Sequence, residues 1–186
     1  MEKHFLSANQ LLLDSYALAK QVFLDGYTPD MIIGVWRGGT PVAIAVQEYF
    51  EYKGLSSEHC AIKTSSYEGI NQQNKHVTVS GLEHIFEQKK RIERLLIIDD
   101  VFDSGRSVQA IINKLKKETH GKVEYETKIA CPWYKPTHNC TQIVPDYFCH
   151  TTDKWLVFPH ELMHLSDDEL IQGKGKEIAS LLELGL

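Results

Sequence analysis

The stretch Leu95-Leu-Ile-Ile-Asp-Asp-Val-Phe-Asp-Ser-Gly-Arg-Ser107 decides how this chain folds. With Arg94 before it, the run to Ile98 is apolar and of strand length, so it delivers Asp99 and Asp100 to the end of a sheet. Past Asp103 the residues Ser104, Gly105, Arg106 and Ser107 lead into Val108, Ile111, Ile112 and Leu115, whose spacing predicts a helix closed by Gly121. A strand, turn and helix in this order expose backbone N–H groups at the positive end of the helix dipole, and Gly105 lets an anion approach the backbone. Two hydroxyls add donors, so a phosphomonoester is the natural guest. The adjacent carboxylates repel each other unless a cation or a hydroxyl-bearing ligand intervenes, and a ribose diol with Mg²⁺ supplies both.

The same grammar recurs outward from this segment. Met31 to Trp36 is a second apolar run, broken by Arg37-Gly38-Gly39 before Thr40-Pro41, an N-cap residue with a proline suited to the first helical turn. A helix is expected from Ala8 to Leu24: Ser7 and Gln10 form a capping box, Leu6 and Leu11 a hydrophobic staple, and Gly26 ends it. Val123, Tyr125, Thr127 and Ile129 alternate as a further strand. Strands alternating with helices imply an α/β fold, a mostly parallel central sheet flanked by helices, with ligands beyond the C-terminal strand ends. Ser65 to about Lys75 is polar and rich in Asn and Gln, which reads as a long loop. After Cys131 the chain turns rich in proline and aromatic residues, which predicts a small hood subdomain over about 132–165 within a single domain of 1–186. Ser166 and Glu169 mark another capping box, opening a helical region that Gly173 and Gly175 interrupt.

Composition narrows the classes. With 186 residues, 42% of them hydrophobic, one compact domain can bury a sizeable core. A net charge of −5 leaves no whole-chain basic field for nucleic acid, and Lys89 to Arg91 and Lys114 to Lys117 read as solvated helix faces. No apolar run approaches the ~18 residues a membrane span needs, and no basic start precedes an apolar stretch, so a cytoplasmic protein is expected. Cys60, Cys131, Cys140 and Cys149 form no CxxC pair and read as reduced thiols.

The nine positions from Asp99 to Ser107 run as two acids, two apolar residues, Asp, Ser, Gly, any residue, Ser. They resemble the signature with which type I phosphoribosyltransferases bind phosphoribosyl pyrophosphate (PRPP). The resemblance implies that Asp99 and Asp100 meet the ribose hydroxyls and Mg²⁺, and that Asp103, Ser104, Gly105, Arg106 and Ser107 hold the 5′-phosphate. Asp103 would also move a proton at the base's N7. Trp36-Arg37-Gly38-Gly39 is similar to the family's pyrophosphate loop, which implies a cis peptide between Trp36 and Arg37. Ser65, Ser66 and Tyr67 lie where purine enzymes of the family carry a catalytic flap, a lid that shields the ribosyl centre from water.

Tyr134-Lys135-Pro136, Pro145-Asp-Tyr147 and Trp155-Leu156-Val-Phe-Pro159 resemble the purine hood of hypoxanthine, guanine and xanthine phosphoribosyltransferases. That likeness implies Lys135 donating to O6, Trp155 stacking on the ring, the Leu156 backbone reading the opposite edge, and Glu161 near the metal and pyrophosphate. The expectation is transfer of the phosphoribosyl group to N9 of a 6-oxopurine, hypoxanthine favoured, by a dimer or tetramer. Two alternatives accompany it. A PRPP-sensing regulator on the same fold would need a nucleic-acid surface. His160-Glu-Leu-Met-His164 is an HExxH pattern, which in a long helix would hold zinc for a hydrolase, although Pro159 puts His160 at the very start of any helix.

Overall fold

The computed structural model describes residues 2–68, 75–86, 92–120 and 125–184. In chain order the elements are β1 (Lys3–Phe5), α1 (Ala8–Leu24), β2 (Met31–Trp36), α2 (Gly39–Tyr52), β3 (Glu58–Glu68), β4 (Lys75–Ser80), α3 (Glu83–Phe86), β5 (Arg94–Ile98), β6 (Val101–Phe102), α4 (Arg106–Glu118), β7 (Glu126–Tyr134), β8 (Tyr147–Thr151), β9 (Trp155–Val157), α5 (Asp167–Lys174) and α6 (Lys176–Leu181). They form two compact units, Asp14–Asp153 and Met1–Leu13 with Lys154–Leu186. Residues 132–153, expected in the hood, run through β7 and β8 of the larger unit. No described helix is long and apolar enough to cross a membrane.

The larger unit is built on one sheet in the order β4-β3-β2-β5-β7-β6, with β8 on β7; every pairing is parallel except β3 with β4. Alternation along the strands divides the core. Met31, Ile33, Val35, Leu95 and Ile97 join Val108, Ile111 and Leu115 of α4 in one buried cluster. On the opposite face α2 presses on β2, where a Cβ on Gly34 would meet the Ala43 Cβ at 3.0 Å. Tyr27 Oη lies 2.9 and 2.8 Å from the carbonyl oxygens of Leu95 and Glu126, and its one O–H, shared between them, ties β5 to β7. Because β2 and β5 are neighbours whose connections leave on opposite sides, their C-terminal ends open at a topological switch point.

α1, β2 and β5 have the bounds their hydrophobic spacing predicts, and the Gln10 N–H donates to Ser7 Oγ at 3.0 Å. Other boundaries differ. α2 begins at Gly39, and Thr40 Oγ1 donates to the Arg37 carbonyl at 2.7 Å instead of capping the helix. β7 starts at Glu126 and continues to Tyr134; Gly121 and Val123 lie outside the described residues, and Tyr125 precedes the strand. Pairings with β5 and β6 stop at Ala130 and resume at Trp133, so the missing N–H of Pro132 breaks no ladder bond. The expected loop from Ser65 is strand as far as Glu68, paired antiparallel with β4 (Ser65 opposite Thr78). Backbone pairing in this edge hairpin needs no apolar side chains, which is why polarity misled there. Asn71 to Asn74 lie outside the described residues.

In the smaller unit β1 pairs parallel with β9, Lys3 opposite Trp155 and His4 opposite Leu156. Ser166 and Glu169 make the expected capping box of α5. Lys3 Nζ holds Glu169 Oε2 at 2.7 Å. Gly173 lies inside α5, where a Cβ would run into the Phe5 ring; the break comes at Gly175, whose φ is 94°.

Candidate active site

β5 ends where two carboxylates follow each other. Asp99 Oδ1 accepts the Asp100 N–H at 3.0 Å, and Asp100 Oδ1 accepts the Val101 N–H at 2.8 Å, so the strand end is fixed by its own acids. Burial, the charge of Asp100 and a side-chain hydrogen bond with Asp100 push the Asp99 carboxyl well above the usual carboxylate range. A cation or a ligand diol would relieve that repulsion.

The turn after β2 closes over this pair. The peptide between Trp36 and Arg37 is cis, as the resemblance implied. A Cβ on Gly38 would fall 1.8 Å from Asp100 Oδ2, and one on Gly39 would fall 2.3 Å from the Ile98 carbonyl oxygen. Glycine is therefore required at both positions for the loop backbone to lie against the end of β5. Gly38 and Gly39 thus sit beside Asp100 and Asp99, with Arg37 immediately before them in the chain.

α4 starts from Gly105, whose φ of 76° lies in the left-handed region that favours glycine. The Arg106 N–H points to Ser104 Oγ at 3.5 Å, and Thr64 Oγ1 reaches Ser107 Oγ at 3.5 Å, linking β3 to the helix start. Arg106 also lines a groove of about 560 Å³ between β4 and α4. A second loop, which sequence reading missed, braces the turn from behind. The Cys140 N–H and thiol both donate to the Ser104 carbonyl at 3.2 Å. Thr141 Oγ1 and Asn139 Oδ1 would lie 2.5 and 3.0 Å from a Cβ on Gly105.

Lys135 and Asp103, assigned separately from the sequence, are partners. Lys135 Nζ lies 3.3 Å from Asp103 Oδ2, with the lysine almost wholly buried and the carboxylate half exposed. His138 Nδ1 meets the other oxygen, Oδ1, at 3.0 Å. His138 was also missed, although Lys135-Pro-Thr-His138 is a turn sequence, and a turn sets its first and fourth residues side by side. All four cysteines are free; burial pushes Cys60 and Cys149 up to about 11 and Cys131 further, so none of these three is a thiolate at neutral pH.

Ser65 is in β3, and Ser66 and Tyr67 follow it in that strand, their side chains lying outside what is described. In the smaller unit Trp155 is 47% exposed on β9, not a core aromatic, while Leu156 is buried. Glu161 closes a turn on Phe158: its N–H donates to the Phe158 carbonyl, and its Oε2 accepts the Phe158 N–H, each at 3.0 Å. His160 stacks on the Phe158 ring with centroids 5.8 Å apart, and His164 has φ 65°. The segment from His160 to His164 is turns, not a helix, so the two histidines are not presented one helical turn apart as a zinc-hydrolase motif demands.

Comparison with known proteins identifies the family and the fold. The family model for the phosphoribosyl transferase domain matches residues 3–167. Among solved structures, the chain is similar to the purine phosphoribosyltransferase of Pyrococcus horikoshii, at 30% identity and TM-score 0.68 over 89% of this chain and 99% of that one. A Neisseria gonorrhoeae hypothetical protein with bound ppGpp (20% identity, TM-score 0.69, covering 93% and 96%) shares the fold. So does the Helicobacter pylori xanthine-guanine-hypoxanthine phosphoribosyltransferase (23%, 0.66, 84% and 92%). No curated protein sequence matches.

Proposed function

This chain belongs to the phosphoribosyl transferase domain family and is a transferase, and from that premise we propose that it moves the 5-phosphoribosyl group of PRPP to N9 of a 6-oxopurine. The products are a nucleoside monophosphate and pyrophosphate, as in purine salvage. The observation that carries the reading is the pairing of Lys135 with Asp103 beside the phosphate turn. A buried ammonium donor next to a carboxylate acceptor complements the O6 and N7 edge of a 6-oxopurine, whereas adenine offers a donor at position 6. Hypoxanthine is favoured over guanine or xanthine because it has no C2 substituent to satisfy. The likeness to a purine enzyme over nearly its whole length supports the purine assignment.

In this reading the backbone N–H groups and hydroxyls of Ser104 to Ser107 hold the 5′-phosphate, and Asp99 and Asp100 hold the ribose hydroxyls. Arg37, Gly38 and Gly39 receive the leaving pyrophosphate. Asp103 manages the proton at N7, Lys135 and the Leu156 backbone orient the base, and Trp155 stacks on it. Ser65, Ser66 and Tyr67 belong to the flap that excludes water. Asp99 and Asp100 fit Mg²⁺, because they are hard oxygen donors whose mutual repulsion a dication relieves. Among the described residues no group of three or more His, Cys, Asp or Glu could hold a metal alone, and Mg²⁺ characteristically takes one or two carboxylates and completes its shell with water and substrate oxygens. When bound, the ion neutralises charge on the pyrophosphate. Glu161 is a further candidate ligand. A homodimer or tetramer in the cytoplasm completes the reading.

The test is to incubate the pure protein with PRPP, Mg²⁺ and each purine in turn. Hypoxanthine, guanine or xanthine is expected to yield nucleotide and pyrophosphate in equal amounts, hypoxanthine fastest, with adenine about 100-fold slower or worse. No product from any 6-oxopurine would overturn the proposal, and PRPP binding without turnover would mark a regulator instead.

A further inference from the structure

We propose that His138 is a positioning residue for Asp103, holding one carboxylate oxygen so that the other stays aimed at the base; this rests on Asp103 being the acid–base group of the proposed reaction. The local sequence makes the geometry. In Lys135-Pro136-Thr137-His138 the His138 N–H donates to the Lys135 carbonyl at 3.2 Å, closing a turn whose second residue is a proline with its φ already set. The turn is anchored on both sides. The Lys135 N–H donates to the Phe102 carbonyl at 2.9 Å, the Thr152 N–H donates to the Tyr134 carbonyl at 3.1 Å, and Thr137 Oγ1 donates to the Asp153 carboxylate.

From this frame the first and fourth side chains both reach Asp103, Lys135 to Oδ2 at 3.3 Å and His138 to Oδ1 at 3.0 Å. The two contacts differ in what happens when a base arrives. Lys135 must turn its ammonium to O6, which releases Oδ2. A half-exposed carboxylate released by Lys135 could rotate about its terminal torsion, which has a broad energy well, and the N7 contact would lose direction. His138 opposes that rotation from the far side, because the turn sets its backbone beside Asp103 and its Nδ1 already lies 3.0 Å from Oδ1. The pair of contacts therefore divides the work: one donor is shared with substrate and the other stays with Asp103.

The test uses kcat and KM for His138→Ala and His138→Asn in the full chain, each alone and with Asp103→Asn, with thermal melting to verify folding. His138→Ala is expected to lower kcat roughly 10–100-fold, the loss typical of a misaimed catalytic group, with KM for PRPP changed less than about twofold. His138→Asn, whose amide can donate from near the Nδ1 position, is expected to recover most of the rate. With Asp103→Asn, His138→Ala is expected to change kcat less than about twofold, because nothing is left to aim. An unchanged kcat in His138→Ala, an asparagine no better than alanine, or the full loss persisting beside Asp103→Asn would each overturn the assignment. Wild-type turnover in Asp103→Asn alone would instead remove the premise, whatever His138 does.

Discussion

Lys135 Nζ and Asp103 Oδ2 face each other at 3.3 Å, one just past the end of β7 and the other just past β6, although 32 residues separate them in the chain. A nearly buried ammonium needs an anion, and a carboxylate placed to handle a proton needs a fixed direction; each supplies the other's need before substrate binds. Asp103→Asn keeps the shape and removes the base. Turnover is expected to fall about 10²–10⁴-fold, with PRPP affinity within a few-fold of wild type by isothermal titration.

Lys135→Met retains the buried stem and removes the donor. KM for hypoxanthine is expected to rise at least about tenfold, in line with a hydrogen bond from a charged group, while KM for PRPP stays close to wild type. Steady-state kinetics with each substrate varied separately checks this split.

Gly105 carries a φ of 76° with Thr141 Oγ1 and Asn139 Oδ1 against its α-hydrogen side. Gly105→Ala meets both the left-handed backbone cost, about 1–2 kcal/mol, and this contact. Chemical denaturation is expected to show a loss of about that size, and KM for PRPP is expected to rise about tenfold because the phosphate turn can no longer close.

Burial and the charge of Asp100 hold the Asp99 carboxyl well above the usual range. The folded state therefore binds that proton more tightly than the unfolded chain, and stability is lost as pH rises from the unfolded value of about 4 through the raised folded one. Asp99→Asn is expected to raise the thermal midpoint by a few degrees at neutral pH, the size of ~1 kcal/mol in a protein this long, and to gain little at pH 4. It is expected to impair turnover at the same time.

Asp30 works in the opposite sense. Its Oδ2 accepts the N–H groups of Glu93 and Arg94 at 3.1 and 2.9 Å, and its Oδ1 takes the Arg94 guanidinium at 3.3 Å, so it pins the start of β5 to β2. Burial raises its pKa, but these donors outweigh burial and leave the carboxyl below its ordinary value. Its contribution is present above the unfolded pKa and is lost as pH falls through the folded one. Asp30→Asn is expected to cost about 1–2 kcal/mol at pH 7, and urea titrations are expected to show that deficit shrinking below about pH 4.

Legibility followed physical cause. β2 and β5 could be read to the residue because each is a parallel strand built on an unbroken and mostly buried apolar run, Met31 to Trp36 and Leu95 to Ile98. The positions of Asp99 to Ser107 at a strand end and helix start were legible for the same reason. β3 and β4 were not, because Thr64 to Ser66 are polar and an edge hairpin is held by its backbone. Pro132 hid the length of β7 by resembling a terminator at a place where no ladder bond was needed. The Asn139 to Thr141 brace was invisible because its work is contact with Gly105 from a distant part of the chain. His138 could have been found, since Pro136 announces the turn that sets it beside Lys135.

The most direct measurement is a crystal structure after soaking with inosine monophosphate. The expected density has the phosphate on the N–H groups of Ser104 to Ser107, the ribose hydroxyls at Asp99 and Asp100, O6 at Lys135 Nζ and N7 facing Asp103. A monophosphate seated elsewhere, or a saturating soak that leaves the turn between β6 and α4 empty, would contradict it.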